Sequence, residues 1–257
     1  MQLSSETKPI GSSFVELQSV DSTNNYALAK IHEGMAYHGD CFFTHEQTMG
    51  KGQRGKIWTA EPSSNILLSI ILKPQFLRVF QQFQLSACVA VAACRFISKY
   101  AGNGVTIKWP NDVYWKDKKI GGILIESIIG SEGPEINKWK WAVVGIGINI
   151  NQTKYPGDLP NPVSLKQITG ERYDVIQLAK ELCASVDWFY NNLKNDGFKP
   201  VLDQYNDLLY KKNETVKFKK DNRTFEATVK AVNLSGQLIT QHGIKESFDF
   251  GQVEWML

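Results

Sequence analysis

Between Val105 and Asn151 the chain offers three strand candidates in succession, with no helix candidate between them. They are "VTIKWP" from Val105, "VYWKDKKIGGILIESII" from Val113 and "KWAVVGIGINI" from Lys140, all rich in β-branched and aromatic residues. The middle stretch is interrupted by charged residues at Lys116 to Lys118 and is predicted to fold as a hairpin about them, while Pro110 ends the strand before it. Consecutive strands of this kind constrain the fold to one built around a mixed β-sheet.

The flanking sequence supplies the rest. "SFVELQSV" reads as a short strand, followed by a helix through Tyr26, Leu28 and Ile31 that Asp21 or Ser22 could cap. "DCFFTHEQ" and "SNILLSIIL" read as strands. Leu85, Val89, Ala92, Phe96 and Tyr100 recur at helical spacing before Gly102. The proline-rich "NQTKYPGDLPNPVS" is a loop, and "VIQLAKELCASVDWFYNNLK" and "VLDQYNDLLY" are helix candidates. From Asn213 the texture changes to four short strands, "ETVKFKK", "TFEATVKAVN", "GQLITQ" and "ESFDFGQVEW", which predicts a small β-barrel. The expected organisation is a domain over 1–211 and a small C-terminal barrel over 212–257, an α+β fold with few, long helices.

Bulk properties exclude more than they assign. The 29 basic and 26 acidic side chains leave a net charge of +3, too balanced to argue for nucleic acid or membrane. Cys41, Cys88, Cys94 and Cys183 lack metal or disulfide spacing and read as small core residues in a reducing compartment, and the four histidines form no ligand pair. No apolar leader follows the N-terminus. The richest apolar run, "ILLSIIL", is far below the roughly 20 residues that a membrane helix needs, so the expected location is cytoplasmic.

The glycine-rich stretch "MGKGQRGKIW" is the most conspicuous local motif. Gly50 to Lys56 satisfies G-x-x-x-x-G-K, yet Ile57 stands where a P-loop carries a Ser or Thr hydroxyl. The following "IWTAEPSSNILLSIIL" denies the helix whose N-terminal amides such a loop requires. A solvated basic loop is one reading. A mobile anion-binding loop that closes over a ligand is the other, and Trp58 and the glycine density favour it.

Four segments, "VDSTNNYA", "EQTMGKGQRGKIW", "KWPNDVYWKDKKIGGILIE" and "VVGIGININ", occur in the order and spacing of the biotin-protein ligases. The sequence resembles that family over essentially its whole length, final barrel included. The resemblance implies a mixed sheet with flanking helices of the class II synthetase-like type and an SH3-like C-terminal barrel. It also implies a two-step reaction in which biotin is adenylated with ATP, then passed to a lysine of a biotin carboxyl carrier protein or the biotinyl domain of a carboxylase. No room is left before "VDSTNN" for the winged-helix domain of bifunctional members, so the chain looks like the monofunctional ligase. No nucleic acid or membrane partner is expected; a homodimer is compatible.

The same resemblance assigns the site. Ser22, Thr23 and Asn24, otherwise a simple helix cap, and Gln47 would hydrogen-bond the neutral ureido ring of biotin, which needs donors and acceptors. Gly50, Lys51, Gly52 and Gln53 would line the biotin end, with Trp58 either closing the loop or serving as an ordinary core aromatic. Where the family commonly carries two or three arginines, this chain has Lys51, Gln53, Arg54 and Lys56; Arg54 is the choice for a catalytic phosphate and carboxylate contact, with Lys56 on the ATP side. Asn111 and Asp112 sit in a turn, with adenine or phosphate contact implied for Asn111 and a Mg2+ or phosphate-side role for Asp112. Lys108 is expected to be structural or at the rim. Lys119, before "IGGI", stands at the position of the family's catalytic lysine. Gly122 lets the strand backbone approach the ligand. Gly145 and Gly147 share one strand face and leave a groove for biotin, and Asn149 continues that face towards adenine. A lipoate or octanoate ligase is the nearest alternative; a nucleic-acid-binding module is a different class, disfavoured by the balanced charge.

Overall fold

A computed structural model describes residues 8–130, 138–157, 159 and 161–256. Its main sheet has seven strands: β1 (Ser13–Val20), β2 (Asp40–Gln47), β3 (Asn65–Leu72), β4 (Val105–Lys108), β5 (Asp112–Trp115), β6 (Lys118–Ile129) and β7 (Trp139–Asn149). They lie in the order β1-β2-β3-β7-β6-β5-β4. Strands β1 and β2 are parallel because α1 (Thr23–His32) crosses between them, and every other neighbouring pair is antiparallel. The sheet is therefore mixed, as the run of strands predicts.

The helices are α1, α2 (Gln82–Ala101), α3 (Leu165–Thr169), α4 (Val175–Asp196) and α5 (Lys199–Asp207). Leu85, Val89, Ala92 and Phe96 of α2 are fully buried, as their spacing requires. Helices α2 and α4 pack on the face made by alternate residues Ile66, Leu68, Ile70 and Leu72 of β3 and Ala142, Val144, Ile146 and Ile148 of β7. On the opposite face α1 buries Ala27 against Phe42, Ile71, Trp141 and Val143. That opposite face, beyond α1, carries the glycines and charged residues singled out above.

The C-terminal segment forms a second, antiparallel sheet of β8 (Thr215–Lys220), β9 (Arg223–Val232), β10 (Leu238–His242), β11 (Ile244–Phe248) and β12 (Glu254–Met256), ordered β11-β10-β9-β8-β12. Five strands replace the four expected because "ESFDFGQVEW" breaks between Phe248 and Glu254, where Gly251 adopts φ +89°. Phe218, Val229, Leu238, Phe248 and Val253 join the same apolar core as the main sheet.

Two helix boundaries also differ from expectation. Helix α5 stops at Asp207, not Tyr210, because Ile107 N–H donates to Leu208 O at 2.7 Å and Tyr210 N–H to Ile107 O at 2.9 Å, tertiary bonds that replace further helix. Helix α3 was not anticipated; Ser164 and Gln167 form a reciprocal capping box at its start. All four cysteines are buried free thiols. No helix among the described residues is long and apolar enough to cross a membrane.

Candidate active site

Antiparallel pairing places directly opposed residues on the same face of a sheet. Through the register Leu67↔Gly147, Gly147↔Gly122, Gly122↔Asp112 and Asp112↔Lys108, one row therefore crosses β3, β7, β6, β5 and β4 on the face away from α2. It runs from an apolar residue, over two glycines, to a carboxylate and an ammonium. Strict alternation from Gly122 would point Lys119 to the other face. A β-bulge changes this: Tyr114 pairs with Lys119 instead of Ile120, and Ile120 turns fully into the core. Lys119 Nζ thereby reaches Asp112 Oδ1 at 2.7 Å.

One row away lie Ser69 and Gly145, which also pair. Here a buried polar network ties α1 to β2 and β3. The Thr23 N–H and hydroxyl both donate to Gln47 Oε1, at 2.8 and 3.1 Å. The Ser69 hydroxyl stands 2.7 Å from Thr23 Oγ1 and 2.6 Å from Asn24 Oδ1; its single proton can serve only one of them, which leaves acceptor capacity in the network. Asn24 donates to Glu126 Oε2 at 2.6 Å, and Lys51 Nζ lies 3.5 Å from Glu126 Oε1. Ser22 takes the helix N-cap position and is buried, yet its side chain makes no cap bond. Asp21 instead accepts from the Ser22 N–H and the Asn25 amide.

The glycine loop is a tight hairpin. Trp58 N–H donates to Gly50 O at 2.9 Å, Lys51 bridges Ile57, and Gly52 N–H donates to Lys56 O at 2.7 Å. Gly52 precedes a single helical turn, Gln53–Gly55, with Arg54 at its tip in the left-handed region. The Trp58 indole lies on the glycine floor: a Cβ on Gly147 would come within 2.6 Å of it, and one on Gly122 within 3.3 Å. Trp58 thus occupies the groove that the two glycines open. Its Nε1 is buried and has no hydrogen-bond partner among the described residues. The Lys119 ammonium sits 5.7 Å from the indole ring centre.

Other expected residues are placed less directly. Arg54 does not join Lys119: its side chain extends to the C-terminal sheet, donating to Phe250 O at 3.2 Å and lying 4.5 Å from the Phe250 ring centre. The left-handed backbone at the hairpin tip directs it there. Asn111 and Asn149 flank the row but spend their amide nitrogens on Ile123 O and Val163 O, at 2.6 and 3.2 Å. Among the described residues no three His, Cys, Asp or Glu side chains are grouped to hold a metal ion.

Sequence reasoning missed Ser69 and Glu126, and it left Lys108 as structural or at the rim. The first two are unremarkable letters within strand stretches, and only cross-strand register brings them to Asn24. Lys108, expected to be structural or at the rim, is half-buried; its ammonium donates to Tyr114 Oη at 3.2 Å and lies 5.9 Å from the Trp255 ring of β12. Burial lowers its pKa to about 8; Asp112 pulls it back up, while Lys119 and Lys56 push it down.

A stability prediction follows. Below about pH 8 folded Lys108 must carry a proton that the fold disfavours, and the unfolded chain binds it freely up to about 10.5. Lys108→Met is therefore expected to raise the Tm at pH 7 by about 2–6 °C. The gain should fade as pH rises from 8 to 10.5, because the wild type recovers the lost stability over that window. Calorimetry across pH checks this, and a Tm that falls at pH 7 would refute it.

The profile of the Biotin/lipoate A/B protein ligase family matches residues 16–149, just over half of the chain. A biotin–[acetyl-CoA-carboxylase] ligase from Paracoccus denitrificans is 32% identical over 193 residues, covering 72% of this chain and 76% of the relative. The bifunctional ligase/repressor BirA of Bacillus spizizenii is 28% identical over 236 residues, covering 90% of this chain and 71% of that protein. The structure of an Aquifex aeolicus biotin protein ligase in complex with biotin and ATP superposes with a TM-score of 0.78 at 21% identity, over 95% of this chain and 99% of the other. The α+β architecture with its C-terminal sheet is thus shared.

Proposed function

This chain belongs to the Biotin/lipoate A/B protein ligase family, and on that premise we propose that it is a biotin-protein ligase, using ATP to attach biotin to a lysine of a carboxylase's biotinyl domain. The observation that carries the assignment is the single sheet face on which the Lys119–Asp112 pair, the Gly122–Gly147 floor and the Thr23–Asn24–Ser69–Gln47 network lie side by side. It joins a polar end suited to a neutral ring with both donors and acceptors, a flat middle, and a cationic end suited to carboxylate and phosphate.

In the first step a biotin carboxylate oxygen attacks the α-phosphorus of ATP, the bond to pyrophosphate breaks, and biotinyl-5'-adenylate remains. Negative charge accumulates on the α-phosphoryl oxygens, and Lys119, held at the groove's edge by Asp112, offsets it. Lys108 and Lys56 add positive charge on the same side, and Asn111 and Asn149 border the nucleotide. In the second step an acceptor lysine amine attacks the biotinyl carbonyl, AMP leaves with the bonding electrons, and the amine loses a proton. The neutral ureido ring sits on Thr23, Asn24, Ser69 and Gln47, and Trp58 gives up the glycine floor and closes over the ligand, excluding water.

Asp112 would hold Mg2+ in company with substrate phosphates, since among the described residues no three His, Cys, Asp or Glu side chains are grouped; such an ion is normally held by one or two carboxylates and phosphate oxygens, and would supply charge neutralisation. The division at 211/212, a homodimer and independence from nucleic acid belong to the same reading; limited proteolysis, sedimentation and a DNA-binding assay test them.

The deciding experiment offers purified protein Mg2+, ATP and biotin, lipoate or octanoate, and follows pyrophosphate and label transfer to a carboxylase biotinyl domain. Biotin-specific release with transfer is expected. Release with lipoate or octanoate alone, or an unlabelled domain, would overturn the proposal.

A further inference from the structure

We propose that the turn between β11 and β12 is a latch for the glycine loop, with Phe250 and Gly251 as positioning residues that hold residues 50–58 down on the groove. Four contacts converge on this turn. The Arg54 guanidinium stacks on the Phe250 ring at 4.5 Å and donates to the Phe250 carbonyl at 3.2 Å. Gly251 lies so close beneath Arg54 that a Cβ there would stand 1.3 Å from Nη2, so only glycine admits the guanidinium. The Phe250 ring in turn packs edge-on against Trp109, 6.1 Å between centres, in the turn that carries Asn111 and leads into Asp112 of β5. Trp109 is itself fixed by its indole N–H to Gly236 O at 2.9 Å, from the C-terminal segment.

The chain of contacts has a direction. Trp109 is buried and rigidly held, whereas Arg54, Lys56 and Ile57 at the loop tip are exposed. The loop touches the main sheet mainly through Trp58 on the glycines and Lys51 on Glu126. Its tip has the C-terminal turn to rest on. The C-terminal sheet thereby acts on the site without lining it: it sets how often the loop, and Trp58 with it, lifts from the groove. Its importance for turnover rests on the ligase assignment above; the geometry of the latch does not.

The test is therefore made without substrate. The full-length wild type, Phe250→Ala, Phe250→Leu and Gly251→Ala are exposed to dilute trypsin, and cleavage after Lys51, Arg54 and Lys56 is timed by mass spectrometry against cleavage elsewhere. Under these conditions local cleavage tracks the open population of the loop. The expected result is about five- to tenfold faster loop cleavage in Phe250→Ala and Gly251→Ala, with Phe250→Leu close to Phe250→Ala because it keeps apolar bulk but loses the aromatic face. Cleavage elsewhere should stay at wild-type rates, and the Tm should stay at its wild-type value in the Phe250 variants and fall slightly in Gly251→Ala, where alanine is strained at φ +89°. Loop cleavage at the wild-type rate would overturn the latch. So would acceleration at all sites together with a lower Tm, which would mark the turn as general support for the fold. A chain that fails to adenylate biotin but shows the selective acceleration would keep the latch and lose the ligase assignment.

Discussion

Lys119→Ala is expected to lower biotin-dependent pyrophosphate release by about 100- to 1000-fold, the scale of removing one preorganised charge-stabilising donor from a transition state. The ammonium is held 2.7 Å from Asp112 and beside the glycine floor, so its position is set before substrate arrives. Its side chain is about one-third exposed, 32% against 25% for Asp112, and an ion pair so open to water contributes little to folding. The Tm should therefore hardly move. Lys119→Arg keeps the charge but not the shape, and should not restore the rate. Full activity in Lys119→Ala would remove the residue from the chemistry; a lost rate with a collapsed Tm would make it structural.

Gly145→Ala should raise the KM for biotin by at least about tenfold while leaving the KM for ATP near its wild-type value. A Cβ at this position would lie 2.5 Å from Asn24 Oδ1 and 3.0 Å from its Cγ, closer than real contacts permit. Asn24 has a short side chain pinned by Ser69 on one side and Glu126 on the other, so it cannot step aside without breaking one of those bonds. The damage should pass through Asn24. In a double-mutant cycle, Gly145→Ala on an Asn24→Ala background should then add little. An unchanged biotin KM in the single variant would detach Gly145 from the biotin end altogether.

Much of the fold was legible beforehand because it rests on local pattern. Alternation and length marked the seven main strands and the long α2 and α4, and the change of texture after Asn213 marked a second β module. What eluded the sequence was partly local, the short capped helix α3, and partly set by bonds between segments. Helix α5 was cut short by Ile107, and the last stretch split into β11 and β12 around Gly251.

The candidate site shows the same divide. Gly145 and Gly147, two apart on a strand, were bound to share a face, and the sequence alone placed them so. Register decided most of the rest. It set Ser69 against Gly145 and Lys108 against Asp112, while the left-handed turn at the hairpin tip carried Arg54 to Phe250 instead of to Lys119.

By itself the sequence determined the seven main strands, the longer helices, the glycine groove and the four segments that mark the family, since each is written in residues close together along the chain. The tertiary structure decided which way Lys119 points. Alternation counted from Gly122 sends it into the core, and only the bulge that pairs it with Tyr114, while burying Ile120, brings its ammonium to Asp112. A bulge is a bargain between two strands, so neither strand's sequence contains it.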